Sequence, residues 1–195
     1  MVENKTNKFL GMEIEKCENG IYLSQCDYIN SLLVKHNLEN SKSVKTPIVK
    51  GEDKIFHPTN EFIDITMYQE LIGELLYLAK RTRPDISFVT SYLSQFNHNP
   101  EKRHYNLAKR VLRYLMGSKD KKLFYEKEFG ILNASSDASW GNAENGKSFS
   151  GGVVLLGNSL ILWKCRKQKS VSLSTCKAEL FSISEICKGI IWSVN

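Results

Sequence analysis

The stretch ILNASSDASWGNAENGKSFSGGVVLLGN, residues 131–158, decides the reading of the fold. Two strand-like runs, the second Gly151 to Leu156, flank a polar turn region, and an acid, Asp137, stands where the first run meets the turn. The period-two pattern extends outward on both sides. Strands are expected near 123–127, 131–137, 149–156 and 159–164, turning at Gly130, Gly141–Gly146 and Gly157-Asn158. Beyond them the period lengthens. STCKAELFSISEICKGIIWSVN carries Leu180, Ile183, Ile186, Cys187, Ile190 and Ile191 at helical spacing, with Ser174 or Thr175 as the cap. Antiparallel strands followed by a helix give an α+β class.

Upstream, KFLGMEIEKCENGIYLSQ reads as a hairpin around Asn19-Gly20, a pair suited to the positive φ of a tight turn. SQCDYINSLLVKHNL follows as a helix, with Ser24 and Asp27 at its start and Tyr28, Leu32 and Leu33 on its apolar face. Residues 39–63, polar and carrying Pro47 and Pro58, read as loop or linker. From Thr66, which with Gln69 resembles a capping box, Tyr68, Leu71, Ile72, Leu75, Leu76 and Ala79 keep i, i+3, i+4 spacing. Pro84 opens a second helix bearing Ile86, Val89, Tyr92, Leu93 and Phe96. A third has Pro100 and Glu101 in its first turn and stops at Gly117.

That third helix is two-faced. Leu107, Ala108, Val111, Leu112 and Leu115 fall on one side; Lys102, Arg103, Lys109, Arg110 and Arg113 fall on the other, and Lys119, Lys121 and Lys122 follow. A stripe of this density can track a phosphate backbone by displacing condensed counterions. A solvated charged face gives the same pattern, and Tyr105 and Tyr114 within it serve packing equally well.

The chain's 195 residues suffice for one large domain or two small ones, and 42% hydrophobic with 25% charged residues excludes wholesale disorder. No apolar run approaches the roughly 20 residues of a membrane span, and MVENKTNKFLG lacks a signal-peptide layout. These features lead to the expectation of an intracellular protein, cytoplasmic or nuclear, not secreted and not engaging a membrane. Five cysteines, odd in number and without Cys-x-x-Cys spacing, argue against a disulfide framework or zinc site and are expected as buried reduced thiols. The four histidines form no metal-ligand pattern. Residues 1–100 carry 11 Lys and Arg against 13 Asp and Glu, whereas residues 101–195 carry 16 against 8, so a polyanionic partner is expected for the second half.

A lone carboxylate at a strand end caps a turn or binds a divalent metal. Glu179, one turn into the final helix, supplies a second acid able to lie over the sheet near Asp137. Phosphodiester hydrolysis by two metals needs several carboxylates around one pocket, because Mg²⁺ is a hard cation that takes oxygen ligands. Asp137 and Glu179 would be half of such a cluster.

Taken in order, FLGMEIEKCENGIYLSQCDYINSLLVKHNLENSKSVKTPI, YQELIGELLYLAKRTRPDISFVTSYLSQF, AKRVLRYLMG, SSDASWGN, KSFSGGVVLLGN, WKCRKQKSVSLSTCKAELFSISE and KGIIW resemble the C-terminal part of a copia-type retrotransposon Pol polyprotein. The resemblance covers nearly the whole chain. It implies a reverse transcriptase tail over residues 1–50, a helical connection region over 51–122 and a partial ribonuclease H-like domain over 123–195. The implied fold is an N-terminal hairpin and helices, a helical connection, then a truncated ribonuclease H-like sheet with one helix. The family's ribonuclease H cuts the RNA strand of an RNA–DNA hybrid using Mg²⁺ or Mn²⁺. Asp137 matches its first catalytic and metal-binding Asp, and Glu179 its catalytic and metal-binding Glu. The resemblance also turns the basic residues 102–122 towards nucleic acid and makes the remaining parts of a Pol polyprotein expected partners.

Departures from the family pattern set the expected activity. No two Asp residues are adjacent, so the polymerase's paired aspartates are lacking. The strand and segment that bear the family's further acids do not follow within the 195 residues, which is expected to leave a sheet edge exposed. Ser139 stands where an acid is usual, and Lys177 where Glu is usual, placing a cation beside the site. The reading is a Pol fragment, catalytically incomplete alone, weak or lacking in metal binding, with residual nucleic-acid binding. The alternatives are an active ribonuclease H completed by further sequence or a partner chain, and a non-catalytic interaction protein. Trp140, Trp163 and Trp192 are assigned to packing. Gly151-Gly152 is a strand feature, since no Lys-Ser/Thr follows as in a phosphate-cradling loop.

Overall fold

The structure, a computed structural model, describes residues 7–49, 51, 61–128, 130–143 and 145–194. His57 and Pro58, within the stretch read as linker, lie outside the described residues. The chain is α+β. Strands β1 (Lys8–Phe9), β2 (Met12–Cys17) and β3 (Gly20–Ser24) lead into helices α1 (Cys26–Lys35), α2 (Ile65–Arg81), α3 (Ser87–Leu93) and α4 (Lys102–Met116). Strands β4 (Leu123–Glu126), β5 (Leu132–Ser139), β6 (Phe149–Leu156) and β7 (Ser159–Lys167) precede helix α5 (Thr175–Val194).

Helix α2 forms where the spacing demands it. Tyr68, Leu71, Ile72, Leu75, Leu78 and Ala79 are all buried on one face. Its start differs from the expected Thr66–Gln69 box: Asp64 is the cap, accepting from the Met67 amide at 2.7 Å. At α1 the Ser24 cap is likewise replaced. The Glu13 carboxylate of β2 accepts from the amides of Cys26 and Asp27 at 3.0 and 2.8 Å and from the Ser24 hydroxyl at 2.7 Å. A carboxylate at a helix start satisfies orphan N–H groups and complements the dipole whether it comes from the neighbouring sequence or from across the fold. Helix α4 takes Glu101 as its N-cap instead of in its first turn, and ends at Gly117.

The β2–β3 hairpin is present, but with Glu18 and Asn19 as its turn; Gly20 lies in the strand opposite Cys17, with no positive φ at either Asn19 or Gly20. Gly20 is there for space: a Cβ would lie 2.1 Å from the Tyr125 carbonyl oxygen of β4. Two antiparallel sheets result, ordered β1-β2-β3-β4 and β5-β6-β7. Thus the strand at 123–126 pairs with β3, not with the strands that follow it.

Helices α1 to α4 share one core, which Phe149 of β6 joins through an edge contact with Phe88, 5.4 Å between ring centroids. Alternation along β6 and β7 sets the two faces of the second sheet. Phe149 and Trp163 turn to the helical core, and the Trp163 indole donates to the Ala79 carbonyl at 2.7 Å. Gly152 and Leu162 turn to α5: a Cβ on Gly152 would meet Ile186 at 2.3 Å, and one on Gly189 would meet Leu162 at 2.9 Å.

Helix α5 corrects the expected stripe. Its sheet-facing residues are Ala178, Ser182, Ile186 and Gly189, whereas Leu180, Ile183 and Ile191 are exposed, as is Trp192, for which packing is expected from the sequence. Small residues win the sheet face because Gly152, without a side chain, lets the helix axis come close. Ser174 is its cap, accepting from the Lys177 amide at 3.2 Å. The cysteines are all free, but Cys17, Cys176 and Cys187 are exposed, not buried. Among the described residues no helix is long and apolar enough to cross a membrane.

Candidate functional site

Asp137 sits in β5 directly opposite Gly151 of β6. Directly opposed residues share a face, and a Cβ on Gly151 would meet open space. Asp137 is therefore exposed on the face of the sheet turned away from α5. Helix α5 is nonetheless fastened at this point of the sheet. The Ser182 hydroxyl contacts the carbonyl oxygens of Asp137 at 2.8 Å and Gly151 at 3.0 Å. Glu179 lies one turn earlier on α5. Glu185 turns towards β7, where it pairs with Arg166; Glu179, about 120° round the helix from it, flanks the opposite side, over β5. The two carboxylates thus border one edge of β5 from opposite faces, an edge that has no strand partner among the described residues.

A buried polar network holds the approach to α5. Gln168 donates from Nε2 to the Ser150 hydroxyl and the Ala178 carbonyl, both at 2.9 Å, and accepts from the Ser172 hydroxyl at 2.8 Å. Trp140 donates to the Ser172 carbonyl at 2.8 Å. Asn142 donates to the Ser139 hydroxyl, so the residue standing in an acidic position is engaged in the turn. None of these partners carries a periodic signal in the sequence. No group of three or more His, Cys, Asp or Glu side chains suited to a metal occurs among the described residues.

The basic stripe is divided. Lys102 pairs with Glu61 at 3.0 Å, Lys109 lies 4.6 Å from the Tyr105 ring centroid, and both border a shallow groove with Phe62 and Met67. Lys119 donates to Asn30 at 3.3 Å, Lys121 to the Tyr114 hydroxyl at 3.1 Å, and Lys122 pairs with Glu15. Arg103, Arg110 and Arg113 instead line one pocket with His104. Arg103 lies 3.2 Å from Glu101, Arg110 donates to Thr46 at 3.1 Å, and Arg113 to the Lys42 carbonyl at 2.7 Å.

Sequence reasoning missed a second charged cluster. Arg83, 2% exposed, binds both Asp85 carboxylate oxygens at 3.0 and 2.8 Å and the Ser118 hydroxyl at 2.7 Å. Burial pushes the Asp85 carboxyl up, but hydrogen bonds from Arg83 and Tyr114 outweigh it and hold the group below the usual carboxylate range. The cluster ties the α2–α3 junction to the end of α4 and is structural.

The chain is 38% identical over 186 residues to the retrovirus-related Pol polyprotein from transposon RE2 of Arabidopsis thaliana, an alignment covering 94% of this chain and 13% of that protein. The chain belongs to the copia-type retrotransposon Pol family. It is 36% identical to the putative transposon Ty5-1 protein YCL074W of Saccharomyces cerevisiae, covering 93% of this chain and 60% of that one. It is 30% identical to the uncharacterized mitochondrial protein AtMg00810 of Arabidopsis thaliana, over 95% of this chain and 77% of that one. No protein-family model matches, and no solved structure matches significantly. This Pol segment therefore spans about an eighth of the Arabidopsis polyprotein.

Proposed function

We propose that this Pol segment joins the end of a reverse transcriptase region to the opening of a ribonuclease H domain, with β5, β6, β7 and α5 as that opening. In this reading residues 1–50 are reverse transcriptase tail and the helical residues from 51 to 122 a connection region. The observation that supports this reading is the Ser182 bond to the Asp137 carbonyl, which fastens α5, one turn on from Glu179, to β5 at Asp137. Both carboxylates carry the hard oxygens that Mg²⁺ or Mn²⁺ takes, Asp137 exposed and Glu179 half-buried. The family likeness assigns Asp137 and Glu179 to such an ion, which would polarise a phosphodiester and acidify water; lying on opposite faces of the sheet, the two carboxylates do not by themselves close its site.

Two carboxylates are few for two divalent cations, since ligand charge tunes affinity at oxygen sites. By itself the segment engages an RNA–DNA hybrid or other nucleic acid through α4 without cutting it. Cleavage requires further acids supplied by other parts of a Pol polyprotein. The test is incubation of the chain with labelled RNA–DNA hybrid and Mg²⁺ or Mn²⁺ beside Asp137→Asn and Glu179→Gln. Binding without cleavage, equal in all three, is expected. RNA cleavage lost in both variants would overturn the incompleteness and favour an active ribonuclease H; no binding at low salt would leave an interaction protein.

A further inference from the structure

The pocket on α4 has a donor set of one kind. Its volume is about 360 Å³, and Arg103, His104, Asn106, Arg110 and Arg113 line it beside Tyr92 of α3. The spacing explains the convergence: positions 103, 106, 110 and 113 recur at three and four residues and so form one row on the helix. Among the described residues no acid lines the pocket. Glu101 offsets the charge of Arg103 from the helix cap, whereas among the described residues Arg110 and Arg113 bond only to a hydroxyl and a carbonyl, both uncharged. Two guanidinium charges are left without a counter-charge among the described residues.

Buried donors there want an acceptor. His104 is 4% exposed, its ring stacked on Phe96 at 3.7 Å. Its Nδ1 accepts from the Glu101 amide at 3.1 Å, which places the ring proton on Nε2. Burial drives its pKa down to about 4, so the imidazole is neutral at physiological pH. Nε2 of His104 and Nε of Arg110 are both buried and have no hydrogen-bond partner among the described residues. Leaving such donors unmet is costly, and a bound anion would meet them.

We propose that this pocket is a phosphate-binding site, in which Arg110, Arg113 and the His104 Nε2–H receive the oxygens of one phosphate group. Planar guanidinium forks match phosphate oxygens in pairs, which favours phosphate over a monatomic anion. The phosphate comes from a nucleic-acid backbone or from a free phosphate or nucleotide. The site sharpens the nucleic-acid reading to one pocket and rests on that reading only for the choice of source.

The experiment uses the full chain at fixed ionic strength, titrated with inorganic phosphate and, separately, with a labelled RNA–DNA hybrid. Arg110→Gln removes the proposed ligand. Thr46→Val removes the loop bond of Arg110 but keeps its guanidinium, and Lys16→Gln makes the same charge change on β2, away from the pocket. Saturable phosphate binding, weakened about tenfold by Arg110→Gln and unchanged in the other two, is expected. A parallel loss for the hybrid assigns the phosphate to nucleic acid; loss for phosphate alone upholds the pocket, assigns a free phosphate and counts against the nucleic-acid reading. The proposal is overturned if phosphate does not saturate, or if Arg110→Gln binds like Lys16→Gln. Hybrid binding that survives Arg110→Gln while phosphate binding does not saturate overturns the pocket and spares the nucleic-acid reading.

Discussion

The indole of Trp163 donates to the carbonyl oxygen of Ala79 at 2.7 Å, across 84 residues of chain. Ala79 lies in the last turn of α2, whose final carbonyls have no partner within the helix. A side chain from β7 supplies one, and in doing so fastens the second sheet to the helical core. Lys167, which donates to Gln95 at 2.7 Å, is a second fastening from the same strand.

Trp163→Phe keeps most of the apolar contact and removes the donor. It is expected to cost about 1 kcal/mol, the net worth of a hydrogen bond, because the Ser87 hydroxyl still donates to the Ala79 carbonyl at 3.4 Å. Urea unfolding followed by circular dichroism measures it, and an unchanged midpoint would show that the Ser87 hydroxyl alone suffices for the Ala79 carbonyl.

Gly152→Ala puts a methyl group 2.3 Å from two carbon atoms of Ile186. Helix α5 must then move off the sheet, at a cost of about 1–3 kcal/mol. Gly151→Ala, one residue earlier on the open face, is the matched control because nothing lies within 4 Å of its Cβ. Equal midpoints for the two variants would refute the close approach of α5.

Asp85→Asn leaves Arg83, buried at 2% exposure, without its charged partner. Because the Asp85 side chain is 28% exposed, the loss is expected at or below the low end of the about 3–5 kcal/mol of a fully buried pair. Thermal unfolding should show the lowest midpoint of this set, and a loss under about 1 kcal/mol would mean that Ser118 alone suffices to hold the guanidinium.

His104 gives the fold an acid sensitivity. Its pKa falls from 6.5 to about 4 on folding, because burial disfavours the imidazolium. Between those values the unfolded chain binds the proton and the folded chain does not, so stability rises with pH across about 4 to 6.5 and is lost as acid is added. Asp85, whose pKa is depressed from 3.8, loses its contribution only at lower pH. His104→Gln retains a side-chain acceptor for the Glu101 amide. Its urea midpoint should vary less than that of the wild type between pH 4 and 6.5; identical slopes would count against a neutral buried imidazole.

Much of the fold is legible in the sequence, and the failures share one cause. The periodicity of α2 and α4 is a property of adjacent turns, so spacing alone assigns Leu71, Leu75, Val111 and Leu115 to the core, where all four are buried. Caps escape local pattern where the partner is distant: Ser24 is the local choice for α1, but Glu13 on β2 does the capping. The α5 stripe fails for the same reason. Leu180 and Ile183 have helical spacing, yet Gly152 on β6 admits the side bearing Ala178 and Ser182. The candidate site is half legible: Asp137 and Glu179 can be singled out by type, whereas Ser182, which relates them, is an ordinary helical serine until the sheet is in place.

The sequence by itself determined the α+β class, the order of the elements, the apolar and basic faces of α4, and the family likeness. Each follows from neighbouring residues or from their linear succession. Only the tertiary structure decided that residues 123–126 join β3, that α5 turns its small residues to the sheet, and that three arginines and a neutral histidine close on one pocket. Those outcomes depend on which backbones can approach within a few ångströms and which buried donors and acceptors then remain to be paired. Such distances arise between residues far apart in the chain, and local pattern carries no record of them.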